Sequence, residues 1–111
     1  MPKVQYTISP YAANAAVLLG QLVRKARIER EMGTIDVATR AGISRGLLHR
    51  IEAGDAGCTI GAVFEVAAIV GVRLFDAEFS TVSRAIESNR EVMTLLPKSI
   101  RARRTEVKDD F

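Results

Sequence analysis

Two arginines five residues apart, Arg45 and Arg50, sit in the stretch GISRGLLHRIEAG (residues 42–54) and carry the clearest chemistry of this chain. An arginine fork can donate two hydrogen bonds to N7 and O6 of guanine, worth roughly 1–3 kcal/mol of discrimination between bases. Ser44 offers a hydroxyl that caps a helix or binds a phosphate. Gly46 removes a side chain where a helix end would press on a duplex, and Leu47 could touch a thymine methyl. His49 falls on the outer side of the same helix, as a solvated imidazole or a phosphate contact. On a helix, Arg45 and Arg50 are about 140° apart, yet their long side chains can both reach the floor of one groove. Taken alone the two arginines read equally well as solvated charges, so the surrounding frame decides.

That frame is a pair of short helices. The segment from Gly33 to Gly54 reads as one helix over about Thr34–Ala41, a tight turn at Ala41-Gly42-Ile43, and a second helix from Ser44 or Arg45 to about Ala53. Asp36 stands in the first turn of the former, where the helix dipole favours a carboxylate. Gly42 permits a left-handed residue, and Ile43 fills the space between the helices. Val37, Ala38, Leu48 and Ile51 point inward. A helix opening on Arg and Gly after such a turn is how a helix-turn-helix presents its reading face.

Flanking elements complete a small core. Ser9-Pro10 is a helix start with a hydroxyl cap and Pro in the first turn. The helix is expected to run to about Glu31 with Ala16, Leu19, Leu22, Val23 and Ala26 on one face. Thr59 is the expected cap of a further helix bearing Val63, Val66, Ala67 and Val70 and stopped by Gly71. Leu74, Phe75 and Phe79 suggest a short fifth helix or turn. Over about Ser80–Arg90, with Phe79, Val82, Ile86 and Met93 at near-helical spacing, an amphipathic helix is expected. Glu91 to Ile100 reads as its continuation or as an extended strand broken by Pro97. The expected organisation is an arm over 1–9 (Val4, Tyr6 and Ile8 extended), a DNA-binding domain over 10–79, a dimerisation extension over 80–97 and a tail over 98–111.

The composition agrees with this reading and excludes others. The chain has 111 residues, of which 48% are hydrophobic and 5% aromatic, so its core is aliphatic and it is not a disordered chain. A formal net charge of +3 suits a polyanion partner without requiring one. Cys58 is the one cysteine and His49 the one histidine, so neither a disulfide within the chain nor a cysteine-based metal site is expected. Cys58 reads as a small packed or loop residue, with no base to activate it. The Gly-rich loop from Gly54 to Thr59 could hold a phosphate on free amides, or be a plain loop. No nucleophile–base pair or cofactor motif stands out, so the chain is expected to be no enzyme and to need no cofactor or metal. The first residues lack a secretory signal's apolar core, and no apolar run approaches the length of a membrane span. A cytoplasmic setting is the expectation.

The run GISRGLLHRIEAG followed by TIGAVFEVAAIVGV resembles the Xre/Cro/phage-repressor type of helix-turn-helix domain, over about Leu19 to Phe75. The resemblance implies an all-α, five-helix fold followed by a helical or strand extension and tail. It implies base contacts at Arg45, Gly46 and Arg50, with Ser44 near the backbone. It also places a phosphate contact at the start of the first short helix, often a Gln and here the shorter Thr34. Finally, it implies an ion pair between Arg27 and Glu52, which fits a carboxylate beside the core residue Ile51 that needs a partner. The chain departs from the family at Glu31 and Gly33, where Gly and a Thr or Ser cap are usual, and at Cys58, where Pro is common.

The C-terminal third adds a second likeness. Leu95-Leu96-Pro97-Lys98, the basic run around Arg101, Arg103 and Arg104, and the end Asp109-Asp110-Phe111 resemble HipB-type antitoxins encoded with HipA-type kinase toxins. This implies a homodimer, with Leu74, Phe79, Val82, Ile86, Val92 and Leu96 as its surface. It also implies a near-palindromic double-stranded operator, and a toxin kinase bound through the residues of the tail. A phage-type repressor with no toxin is the other reading of the same head.

Overall fold

The computed structural model describes residues 7–75 and 78–100. Residues 1–76 and 77–111 form two separate compact units. The expected arm positions Val4 and Tyr6, and Arg101, Arg103, Arg104, Asp109, Asp110 and Phe111 of the tail, lie outside the described residues.

The first unit holds four helices, α1 (Pro10–Glu29), α2 (Thr34–Ala41), α3 (Arg45–Glu52) and α4 (Ile60–Val70). Pro10 opens α1, and the Ser9 hydroxyl accepts a hydrogen bond from the Ala12 amide at 3.1 Å. Val23 from α1, Val37 and Ala38 from α2, Leu48 and Ile51 from α3, and Val66, Ala67 and Val70 from α4 form one buried cluster. Burying each of the Val, Leu and Ile side chains stabilises by about 1.5–3 kcal/mol before the cost of ordering them. Leu22, expected on the same face, is instead largely exposed, while Leu19 and Ala26 flank the cluster.

All four helices end with the same two backbone bonds. After α1 these are Met32 N–H to Arg27 O and Glu31 N–H to Ile28 O, at 3.0 and 2.9 Å. After α3 they are Asp55 N–H to Arg50 O and Gly54 N–H to Ile51 O, both 3.0 Å. After α2 and α4 the pairs run from Ile43 to Ala38 with Gly42 to Thr39, and from Val72 to Ala67 with Gly71 to Ala68. This is the Schellman motif, which needs a left-handed residue and brings together the side chains five apart that bracket it. Gly42, Gly54 and Gly71 supply the left-handed residue in three cases; after α1 it is Glu31, with φ 56°. The strained turn therefore ends α1 at Glu29, two residues earlier than expected from the sequence.

One close approach sets how α1 meets the end of α3. A Cβ built on Gly20 would lie 2.5 Å from the Ile51 carbonyl oxygen and 2.8 Å from that of Glu52. Only a glycine in α1 admits the backbone of α3 at this distance.

In the first unit no separate fifth helix forms at Leu74 and Phe75, which lie in a turn. Leu74 packs against the core, and Phe75 meets Phe64 edge to face with ring centroids 6.4 Å apart. The fifth helix of the chain is α5 (Phe79–Leu95), in the second unit. The strand alternative for residues 91–100 is not adopted: residues 91–95 continue α5, and no strand occurs among the described residues. Leu96 is extended (φ −93°, ψ 152°), as the residue before Pro97 must be to avoid its ring. The helix runs to the last residue that this restriction permits. No described helix is long and apolar enough to cross a membrane.

Candidate nucleic-acid interface

The turn between α2 and α3 consists of Gly42, Ile43 and Ser44. Gly42 is left-handed (φ 70°), Ile43 packs against the core, and Ser44 is extended and caps α3 by accepting from the Leu47 amide at 3.0 Å. Capping uses the oxygen of Ser44 as acceptor and leaves its O–H able to donate, as a phosphate contact requires.

The periodicity of α3 sorts its residues into two faces. Leu48 and Ile51 are buried, with Glu52 beside them; Ser44, Arg45, Gly46, His49 and Arg50 are exposed. The structure thus brings five of the seven expected contact residues onto one open surface. Leu47 differs: it is half-buried against the core, because its position on the wheel lies at the edge of the apolar stripe. Thr34, at the start of α2, is also half-buried.

Two features of this surface have no cause among the described residues. A Cβ built on Gly46 meets only the Ser44 hydroxyl, at 3.8 Å, so no internal packing demands a glycine there. Arg45 stands in the first turn of α3, which contains no acidic residue. A cation at a helix N-terminus opposes the macrodipole by a few tenths of a kcal/mol to about 1 kcal/mol. Both features become favourable when an anionic surface approaches this end of α3.

Arg50 is held by a group that sequence reasoning missed. Its Nε donates to Asp55 Oδ2 at 2.8 Å, and the other carboxylate oxygen accepts from the Gly57 amide at 2.8 Å. The hydrogen bond from Arg50, then that from Gly57, holds the Asp55 carboxyl below its ordinary range, and Asp55 in turn raises Arg50. The sequence did contain a signal: Arg50 and Asp55 bracket Gly54 at the spacing of the Schellman motif, where the two side chains usually make an apolar contact. The same pairing changes the reading of the Gly54–Thr59 loop. The Gly57 amide is already occupied by Asp55, and Thr59 makes no side-chain cap to α4.

Behind this surface lies the Arg27–Glu52 pair. Arg27 Nε donates to Glu52 Oε2 at 2.7 Å and Nη2 to Oε1 at 3.1 Å, while Nη1 reaches the Met32 carbonyl at 3.0 Å. The side chains are 11% and 5% exposed, and Arg24 stands 4.0 Å from the same carboxylate. The hydrogen bond with Glu52 raises the pKa of Arg27, against the lowering effect of burial. One guanidinium thus joins α1, the end of α3 and the turn before α2.

In the second unit, Phe79, Ile86, Val92 and Leu96 are exposed, Val82 is half-buried, and no residue of α5 is buried. Leu74, expected on the dimer surface, is half-buried and packs against the core of the first unit. Cys58 is half-buried beside the core, and no cluster of potential metal ligands occurs among the described residues. No family model, curated protein or solved structure matches this chain.

Proposed function

We propose that this chain is a sequence-specific DNA-binding repressor of the Xre/Cro/phage-repressor type. The observation that carries the reading is α3, which exposes Arg45 and Gly46 in its Ser44-capped first turn and His49 and Arg50 in its last, while Leu48 and Ile51 anchor its other face. Laid in a major groove, such a helix offers its N-terminal residues to base edges, and Ser44 and Thr34 to phosphate. The chain acts as a homodimer whose two heads read half-sites about one helical turn apart, so its operator is a near-palindrome. The exposed apolar residues Phe79, Ile86, Val92 and Leu96 of the second unit, with the half-buried Val82, supply the contact between copies.

Within that class, the resemblance of residues 95–111 to HipB-type antitoxins assigns a second partner, a HipA-type kinase toxin, and autoregulation of the operon that encodes both. A phage-type repressor without a toxin is the alternative, supported by the same head.

The test is a gel-shift selection from random duplexes, repeated with Arg45→Ala/Arg50→Ala. The wild type is expected to enrich a near-palindrome and the double variant to lose that preference while keeping its fold. Retained operator preference in the double variant overturns the reading head. Sedimentation of Ile86→Glu is expected to give monomer where the wild type gives dimer. Truncation after Leu96 is expected to release a co-expressed toxin kinase; an unchanged pull-down removes the tail from that contact.

A further inference from the structure

We propose that Asp55 is a positioning residue for base reading: it holds Arg50 by Nε and leaves the Nη1/Nη2 fork as a preset guanine reader. This rests on the reading of α3 given above.

The geometry supports it in three steps. First, Asp55 is itself immobilised. Its amide is bonded to the Arg50 carbonyl at 3.0 Å, and the preceding Gly54 is left-handed (φ 85°). A Cβ on Gly54 would come within 2.6 Å of Val17 Cα, so the loop is seated directly on α1. The carboxylate is then fixed through both oxygens, by the Gly57 amide and by Arg50.

Second, the bond to Arg50 uses one donor of the five that a guanidinium carries. Among the described residues, its hydrogen bond runs through Nε alone. The four donors on Nη1 and Nη2 remain, in the end-on arrangement that matches the N7 and O6 acceptors of guanine. Gly57 lies beside Nη2 without a side chain to cover it: a Cβ there would stand 3.8 Å from that nitrogen.

Third, the alternative roles of such a pair fit less well. Both side chains are about half exposed, so the pair adds little to stability. Its effect falls on Arg50, whose long side chain otherwise loses considerable rotamer freedom on binding. A reader whose side chain is already ordered binds its target with less of that loss.

The experiment measures binding of the full chain to its selected operator and to operators with single guanine replacements, for wild type, Arg50→Ala, Asp55→Asn, Asp55→Glu and Arg50→Ala/Asp55→Asn. Arg50→Ala is expected to lose about 5- to 150-fold of preference at one guanine. Asp55→Asn is expected to lose roughly 3- to 10-fold at that same guanine, with non-specific affinity and melting temperature unchanged. Asp55→Glu is expected to recover part of the loss, and the double variant to lose no more than Arg50→Ala.

A different outcome overturns the proposal in one of three ways. Tighter binding by Asp55→Asn to every duplex would make Asp55 a competitor of the DNA for Arg50. Equal losses at all positions would make it a general stabiliser of the loop. No effect of Asp55→Asn beside a loss in Arg50→Ala would leave Arg50 a reader that needs no support. If Arg50→Ala itself binds like the wild type, it is the reading of α3 that fails.

Discussion

The C-terminal turn of α3 takes part in two arginine–carboxylate pairs of nearly the same length, one through Glu52 and one through Arg50, and the two pairs have opposite consequences. Arg27–Glu52 spans 2.7 Å with side chains 11% and 5% exposed; Arg50–Asp55 spans 2.8 Å with side chains 54% and 40% exposed. The first closes a junction of α1, α3 and the turn before α2 and has almost no water around it. The second stands on the open face and leaves most of its donors available. Identical chemistry thus closes the scaffold in one place and stays open to solvent in the other, and burial makes the difference. A buried charge that loses its partner cannot be rescued by solvent, whereas an exposed one can.

The largest expected effect comes from opening the buried pair. Arg27→Ala is expected to cost about 3–5 kcal/mol, reduced to the extent that Arg24 can close on Glu52. On a domain of this size that corresponds to a fall in melting temperature of well over 10 °C, read by thermal denaturation. Arg50→Ala is expected to leave the midpoint essentially where it was. Equal effects of the two substitutions would break the comparison.

A smaller effect is expected from displacing the junction without touching its charges. Gly20→Ala places a methyl against the Ile51 and Glu52 carbonyls, and overpacking of this kind costs about 1–3 kcal/mol. Because backbone rather than a side chain must give way, the end of α3 carrying Glu52 shifts. Chemical denaturation measures the loss, and a loss near zero would mean that the helices separate without cost.

A gain is expected at the turn that Arg27 supports. Glu31 pays for a left-handed backbone that Gly adopts freely. Glu31→Gly is therefore expected to stabilise by roughly 0.5–1 kcal/mol, raising the denaturation midpoint. It tests whether the turn is held by Arg27 Nη1 on the Met32 carbonyl against its own strain.

The smallest effect is a titration. Asp55 has its carboxyl lowered from an ordinary value of 3.8 by its bond with Arg50. A carboxyl lower in the folded than in the unfolded chain contributes stability that is present above the unfolded value and lost as pH falls through the folded one. The Arg50–Asp55 pair is therefore expected to be intact at neutral pH and to open only below about pH 3.8. Carboxyl NMR of Asp55 reads this directly, and Arg50→Ala is expected to move the titration upward toward the ordinary value.

Much of the head was legible in the sequence because its signals are local. The α2 and α4 boundaries followed from Gly33, Gly42, Thr59 and Gly71, and the two faces of α3 from Leu48 and Ile51 at helical spacing. What escaped depended on neighbours distant in the chain or on backbone strain. Glu31 departs from the Gly expected there, but nothing local in the sequence announces its left-handed backbone, which ends α1 two residues before the expected Glu31. Leu47 reads as an outer residue, yet it lies at the margin of the apolar stripe and is half-buried against the core. Leu74 and Phe75 read as a short helix or a turn, and the turn forms, with Leu74 against the core and Phe75 exposed beside Phe64. Residues 91–95 alternate like a strand, yet they continue a helix already formed, and extending a helix is easier than starting a strand without a partner.

The sequence by itself determined the order of the helices, the turn at Gly42 and the placement of Arg45 and Arg50 on the outer face of α3. These depend on periodicity and on residues with restricted backbones, which act over a few positions. Tertiary structure alone decided which arginine is buried in the scaffold and which stays on the open face, that Gly20 must lack a side chain, and that Asp55 stands beside Arg50. Those outcomes depend on how much water remains around a group, and water is excluded only once helices remote in sequence have closed on one another.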